Sequence, residues 1–474
     1  MRWISKVLRL ASLKGDAESD APTALGAKHR RRVRRMILGN SAATTGVSLY
    51  WAAYFSFASL WTVVSLQLLA VGAAAVAASL ALRGRMRLAS RVLISAIFAL
   101  VCFGAVFIDP PVAGINRSIH HFLIATGVMS CLLMRSERMW LRLGVPMTCF
   151  LAWATFSSFD LGIVTSIALP VAARAHTGWV NCFAAILMVY ATLHVILTDA
   201  AERSAEEGEL REALLHGDFV LHYQPQVDAQ GQLIGAEALI RWHHPRRGMV
   251  PPSEFISLAE KSGLMLPMGA WVLKTACEKL VVWSHRPETS SLVMAVNVSI
   301  VQFSHPDFVT TVLGVLERSG AKAARLKLEI TEGMLAHDLD DIVNKMTLLK
   351  AHGVAFSLDD FGTGFSSLSY LRRLPLDQLK IDQSFVRHML GSKKDAAIVQ
   401  AVIALGQSME LGVIAEGVET AEQRQFLLGL GCTEYQGYLF SKPITAKEFT
   451  AFARQSFRQP RVRLVGAQTP LAAA

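Results

Sequence analysis

The sequence predicts two joined fold classes: an all-α bundle of transmembrane helices, then an α/β domain built as a (β/α) barrel. Three observations carry this. Hydrophobic residues make up 52% of the 474-residue chain against 18% charged, and the apolar excess lies before about residue 198. Basic residues gather between the apolar runs. After Phe219, short β-rich segments alternate with amphipathic helical ones, and the strand-like segments carry polar residues near their C-terminal ends.

The first 36 residues read as a basic cytoplasmic segment, with Lys28, Arg30, Arg31, Arg32, Arg34 and Arg35 directly before the first apolar run. No signal-peptide pattern precedes them. Residues 37–198 read as a membrane domain of about six helices. The run from Ile37 to Leu82 is long enough for two spans, with a tight outer turn near Ser56 to Leu60. Further runs fall at 91–108, 119–134, 140–157 and 177–198. Six crossings put the clusters Arg83, Arg85, Arg87, Arg91 and Arg135, Arg138, Arg142 on one side, leaving Arg117 and Arg174 opposite. The segment Leu161 to Ala173, broken by Pro170, is too short to span and reads as re-entrant or interfacial.

The net charge of +10 is thus explained by membrane topology, and a nucleic-acid polymer is not expected as a partner. The six cysteines lack metal or redox spacing and read as buried small hydrophobes. His120 and His121, without a third ligand, read as solvated loop residues. No acidic residue marks an ion path through the apolar runs, which argues against a transporter and for a sensor or anchor. Residues 199–217 are charged and helical and read as a signal-carrying linker helix.

In the second half the strand candidates are 235–242, 294–300, 326–332, 354–360, 378–382, 413–419 and 433–440. An open sheet collects its chemistry at one switch point, whereas a barrel gathers the ends of all its strands at one mouth. Polar residues on seven successive strands therefore favour a TIM-like barrel.

Glu237, Asn297, Glu329, Asp359 and Asp360 supply hard oxygen ligands, with no His or Cys set to favour zinc. Such donors suit Mg2+ or Mn2+. Adjacent Asp359 and Asp360 can serve two ions, and two ions about 4 Å apart suit an in-line phosphoryl displacement. Lys380 can orient a water or neutralise a phosphate, and Glu416 is a candidate general base. Singly, each is an ordinary surface carboxylate or turn residue; together on successive strands they point to a site.

The same residues resemble the EAL phosphodiesterase family over about residues 209–455, with residues 456–474 left as a flexible tail. The resemblance rests on LREALLHGDFVLHYQPQVD, GAEALIRWHHPRRGMVPPSEFI, AVNVS, LEITE, DDFGTGFSSLSYL, LKIDQSFV, AEGVET and GCTEYQGYLFSKP, in that order. It implies a barrel that hydrolyses cyclic di-GMP to the linear dinucleotide with two Mg2+ or Mn2+ ions, in a multi-pass protein of the bacterial inner membrane. Glu237, Asn297, Glu329 and Asp359 would bind the first ion; Asp360 would serve the second, with Glu416 as its ligand or as base. Lys380 would position the water, and Gln224, Arg241 and Gln436 would hold the dinucleotide. Glu332 would brace the loop after Asp359, which couples to homodimer contacts in the family. Phe365, Gly333 and Thr433 depart from the usual residues, and none is a metal ligand. The span from Thr198 to Leu210 has no room for the GGDEF cyclase domain that many members carry before the barrel. The alternative implied by degenerate members is a membrane-bound cyclic di-GMP receptor without turnover.

Overall fold

A computed structural model describes residues 24–458 apart from 112–115, 136, 161–166, 337 and 363–367. The chain divides into two compact units, one up to Glu206 and one from Glu207.

The first unit is helical: Ala24–Phe57, Trp61–Leu82, Met86–Phe103 with a π-helical continuation Gly104–Ile108, Phe122–Leu133, Met139–Ser158 and the start of Val171–His216. Trp61–Leu82, Met86–Ile108 and Val171–His216 are long and apolar enough to cross a membrane. Ile119–Leu133 is apolar but shorter. Polar residues such as Asn40, Ser41 and Thr44 dilute the helix Ala24–Phe57, and Arg142 interrupts Met139–Ser158. The expected turn near Ser56 to Leu60 is present, closed by Leu60 N donating to Phe55 O at 3.0 Å with Ser59 in the left-handed region. Residues 161–166 of the segment expected to be re-entrant lie outside the described residues.

His120 corrects the expectation of a solvated loop. It lies in a 3-10 turn, is buried, and its Nε2 sits 3.0 Å from Ser157 Oγ. The cause is local: the Asp109 carboxylate gathers Ser118 N, Ser118 Oγ and Ile119 N, drawing the segment inward. Arg117 and Arg174 are also buried, donating to the carbonyls of Phe156, Phe159 and Leu169.

The second unit is a closed barrel. Its strands are β1 Phe219–Asp228, β2 Leu233–His244, β3 Gly248–Val250, β4 Val293–Asn297, β5 Leu326–Thr331, β6 Ala355–Phe361, β7 Gln378–Ile381, β8 Gly412–Ala415 and β9 Glu434–Gln436. The order is β1-β9-β8-β7-β6-β5-β4-β2, closed by β1 on β2, with β3 a short antiparallel extension of β2. β1 runs antiparallel to both neighbours; β2 and β4 to β9 are parallel.

β1 was not among the seven strand candidates. Its first half alternates, with Phe219, Leu221 and Tyr223 buried, but Gln224 to Val227 are all buried and include Pro225 and two glutamines. That reads as a polar turn until the strand is seen closing the barrel. Several expected strands end early for local reasons. Ser299 starts the helix Ile300–Phe303 with a capping box, accepting from Gln302 N while Gln302 reaches back. Leu328, Ile330, Phe356, Leu358, Leu379 and Ile381 lie in the main core, fully excluded from solvent. A smaller cluster packs Leu210 and Ala213 on Phe219, Trp242 and Phe255.

Candidate active site

Parallel register brings the polar strand ends to one mouth. Asn297 stands opposite Glu329, and Thr331 opposite Asp359. Lys380 on β7 reaches the middle. Its Nζ lies 2.7 Å from Glu329 Oε2, 2.5 Å from Glu416 Oε1, 3.3 Å from Asp359 Oδ1 and 3.9 Å from Glu237 Oε2. One ammonium thus faces four carboxylates, three on different strands and Glu416 just after β8. Burial pulls its pKa down, but the four carboxylates outweigh burial and hold it well above the usual 10.5.

The carboxylates carry the converse strain. Burial, only partly offset by Lys380, raises Glu329 well above its ordinary range. Burial pushes Glu416 up to about 8, and burial with Asp359 and Asp382 pushes Asp360 up to about 6. Negative charge exceeds positive charge here, and protons or cations must make up the difference.

Two consecutive strand residues ordinarily point to opposite faces. Asp359 and Asp360 escape this because the β6–β7 register shifts between Leu358 and Phe361, and Asp360 adopts a left-handed φ of 56°. Both carboxylates then act at the mouth, and Asp359 Oδ1 accepts from Asp360 N at 2.9 Å.

A second network fixes Glu237. Its Oε1 accepts from Asn297 Nδ2 and its Oε2 from Gln436 Nε2, each at 2.5 Å. Gln436 Nε2 also donates to Gln224 Oε1 at 3.1 Å, and Gln226 Nε2 donates to Gln436 Oε1 at 2.9 Å. The antiparallel β1 makes this possible, placing Gln224 opposite Glu237 and Gln226 opposite Gln436. Gly437 lets β9 close tightly, since a Cβ there would lie 2.2 Å from Val418 O.

All the sequence-predicted residues but two touch one of these networks or each other. Arg241, half-buried on β2, donates to Ile240 O at 2.8 Å and makes no salt bridge among the described residues. Glu332 Oε2 accepts from Gly362 N at 3.3 Å, just after Asp360. The loop residues 363–367, Phe365 included, lie outside the described residues.

Sequence reading missed Gln226 and Asp382. Asp382 lies close enough to Asp360 to help raise its pKa and accepts from Ser384 N at 3.0 Å. A period of two was the available signal: Gln226 follows Gln224 by two residues, and Asp382 follows Lys380 by two.

The donor set fits divalent cations of the Mg2+ or Mn2+ kind: carboxylates and one amide, all oxygen, in a buried and over-negative pocket. Glu329 Oε1 is buried with no hydrogen-bond partner among the described residues, so it retains an open coordinating lone pair. Among the described residues no three His, Cys, Asp or Glu side chains form a ready metal cage, and the Lys380 ammonium lies between Glu329 and Glu416.

The sequence profile of the EAL domain matches residues 207–443. The chain belongs to the EAL domain family. A solved structure described as the MucR phosphodiesterase in complex with c-di-GMP is 43% identical, with a TM-score of 0.51, covering 52% of this chain and 99% of that one. The bifunctional diguanylate cyclase/cyclic di-GMP phosphodiesterase MucR of Pseudomonas aeruginosa is 44% identical over 244 residues, 51% of this chain and 36% of the relative. Cyclic di-GMP phosphodiesterase NbdA of the same organism is 42% identical over 260 residues, 55% of this chain and 33% of the relative. The chain therefore spans about a third of the length of these curated relatives. The EAL likeness lies in the barrel unit, and the mouth with Lys380 falls within the matched residues.

Proposed function

We propose that this chain is a membrane-anchored phosphodiesterase that hydrolyses cyclic di-GMP to linear pGpG. The observation that carries the reading is the mouth itself: Glu237, Glu329, Asp359 and Glu416 around Lys380, with Asn297 on Glu237. The names of the relatives MucR and NbdA support the substrate.

Glu237, Asn297, Glu329 and Asp359 would hold one Mg2+ or Mn2+, and Asp360 with Glu416 a second. Such ions, when bound, lower the pKa of water and neutralise charge on the phosphoryl oxygens. The chain's own groups do the rest. Glu416 is the ligand of that second ion or, in its place, the general base that would take the proton from the attacking water. Lys380, permanently charged, orients that water and faces the developing negative charge. Arg241 has guanidinium donors free for a phosphate, and Gln224 with Gln436 borders the same pocket. The hydrogen bond from Gln436 to Glu237 supports a further task for Gln436, holding that carboxylate in one rotamer. Glu332 braces the chain after Asp360 through Gly362 N.

The three long apolar helices and the Arg clusters between apolar runs support insertion in the bacterial inner membrane, with the barrel on the cytoplasmic side. The membrane half would deliver a signal to a barrel acting as a homodimer.

The deciding experiment is turnover of cyclic di-GMP by the full chain in lipid, with Mg2+ or Mn2+ and then with chelator. Metal-dependent pGpG supports the enzyme. Tight binding without product makes the chain a receptor instead.

A further inference from the structure

Within the helical unit lies a cavity of about 120 Å³, bordered by the helices Ala24–Phe57, Trp61–Leu82, Met86–Phe103, Phe122–Leu133 and Val171–His216. Its walls are mostly apolar. Trp51 and Phe55 form an aromatic face, their rings stacked at 5.4 Å, and Ala70 lines the opposite helix. An apolar cavity of about 150 Å³ is known to hold one benzene ring, so this space suits a compact body of similar size.

The cavity is not purely apolar, and that selects the ligand. Thr44 and Ser48, one turn apart on the same helix, line it together with Gln67. In a helix such hydroxyls commonly bond back to the carbonyl four residues earlier, as Thr126 and Thr192 do here. Among the described residues the side chains of Thr44, Ser48 and Gln67 make no hydrogen bond, although Ser48 is buried. Asn181 also lines the space; its Nδ2 donates to Ser118 Oγ at 3.0 Å, leaving its Oδ1 available. Ser48 is buried and Thr44 and Gln67 are half-buried, and such polar groups beside an aromatic wall match a molecule with one polar group on an apolar ring.

We infer that the helical unit binds a small amphipathic molecule of the phenol class, its ring against Trp51 and Phe55 and its hydroxyl bonded by Ser48 and its polar neighbours. The ligand would be an input separate from the dinucleotide pocket, and its binding can be measured without turnover.

The test is a ¹⁹F NMR titration of the full chain in lipid nanodiscs with 4-fluorophenol and fluorobenzene, with empty nanodiscs as the partition control. Saturable one-site binding of 4-fluorophenol beyond the control is expected. Ala70→Phe, which fills the space, should abolish it. Ser48→Ala should weaken 4-fluorophenol about three- to tenfold and leave fluorobenzene unchanged, as the loss of one hydrogen bond requires. The inference is overturned if uptake equals that of empty nanodiscs, if it survives Ala70→Phe, or if native mass spectrometry finds a lipid acyl chain in the cavity. Should Ala70→Phe fail to fold, Ser48→Ala decides alone: an unchanged ratio of the two affinities refutes the proposed hydrogen bond.

Discussion

Lys380 Nζ lies 2.7 Å from Glu329 Oε2, and both side chains are excluded from solvent. A buried pair of this kind is kept in place by what its loss would expose. Lys380→Met would leave Glu329, Glu416 and Asp359 facing one another with no counter-charge. Breaking such a pair costs about 3–5 kcal/mol. We expect loss of turnover and a lower melting temperature in chelator, largely restored by Mn2+. Wild-type melting in chelator would show that the ammonium is not the compensating charge.

Gln226 never touches Glu237 and still bears on it, through Gln436. Gln226→Ala should release the Gln436 side chain and loosen the Glu237 rotamer. The expected result is a loss of about 10- to 100-fold in activity or metal affinity, the usual effect of removing support behind a ligand. Metal titrations of kcat in the variant check it; unchanged metal dependence and rate would remove Gln226 from the site.

The raised carboxyl pKa values set a pH dependence for the metal-free barrel. Glu416 moves from its ordinary 4.5 up to about 8, and Asp360 from 3.8 up to about 6. Between those limits the folded protein holds more protons than the unfolded chain, so metal-free stability falls as pH rises from about 3.8 to 8. A divalent cation must displace the same protons, so its apparent affinity rises over the upper part of that window. Calorimetry at pH 7 in two buffers of different ionisation enthalpy should register proton release on Mn2+ binding. Equal heats in both buffers would contradict the assignment.

Gly437 is a steric requirement of the barrel seam. Its missing side chain admits the Val418 backbone, whose N and O would lie 2.3 and 2.2 Å from a Cβ. Gly437→Ala must push β9 from β8 or displace Gln436, at about 1–3 kcal/mol for overpacking. A lower melting temperature with reduced turnover is expected; a variant that melts like the wild type would mean the seam yields freely.

Removing the Glu332 carboxylate takes away the acceptor for Gly362 N. Glu332→Ala should lower turnover while leaving equilibrium metal binding at the mouth nearly intact, because Glu332 acts on the chain after Asp360. Comparing kcat with metal affinity checks this; a parallel collapse of both would place Glu332 among the ligands instead.

Most of the mouth was legible as sequence because strands of a parallel barrel present their C-terminal residues to one place, whatever their separation along the chain. Glu237, Asn297, Glu329, Asp359 and Lys380 are each recognisable as a polar residue set in or at the end of an apolar run. The turn at Ser56 to Leu60 was legible for a similar local reason: the apolar run exceeded one span.

Other features are decided by contacts between distant segments. The strand direction of β1 depends on its hydrogen bonds to β2 and β9, and β9 lies over 200 residues away. That pairing alone joins Gln226 to Gln436 and so to Glu237. The burial of His120 likewise depends on Asp109 and on Ser157, in different helical segments. Local composition thus determined which elements form and which chemistry their ends carry. Strand direction, ring closure and the charge balance around Lys380 were left to the tertiary structure, because each is a sum over non-local partners that no single stretch of sequence contains.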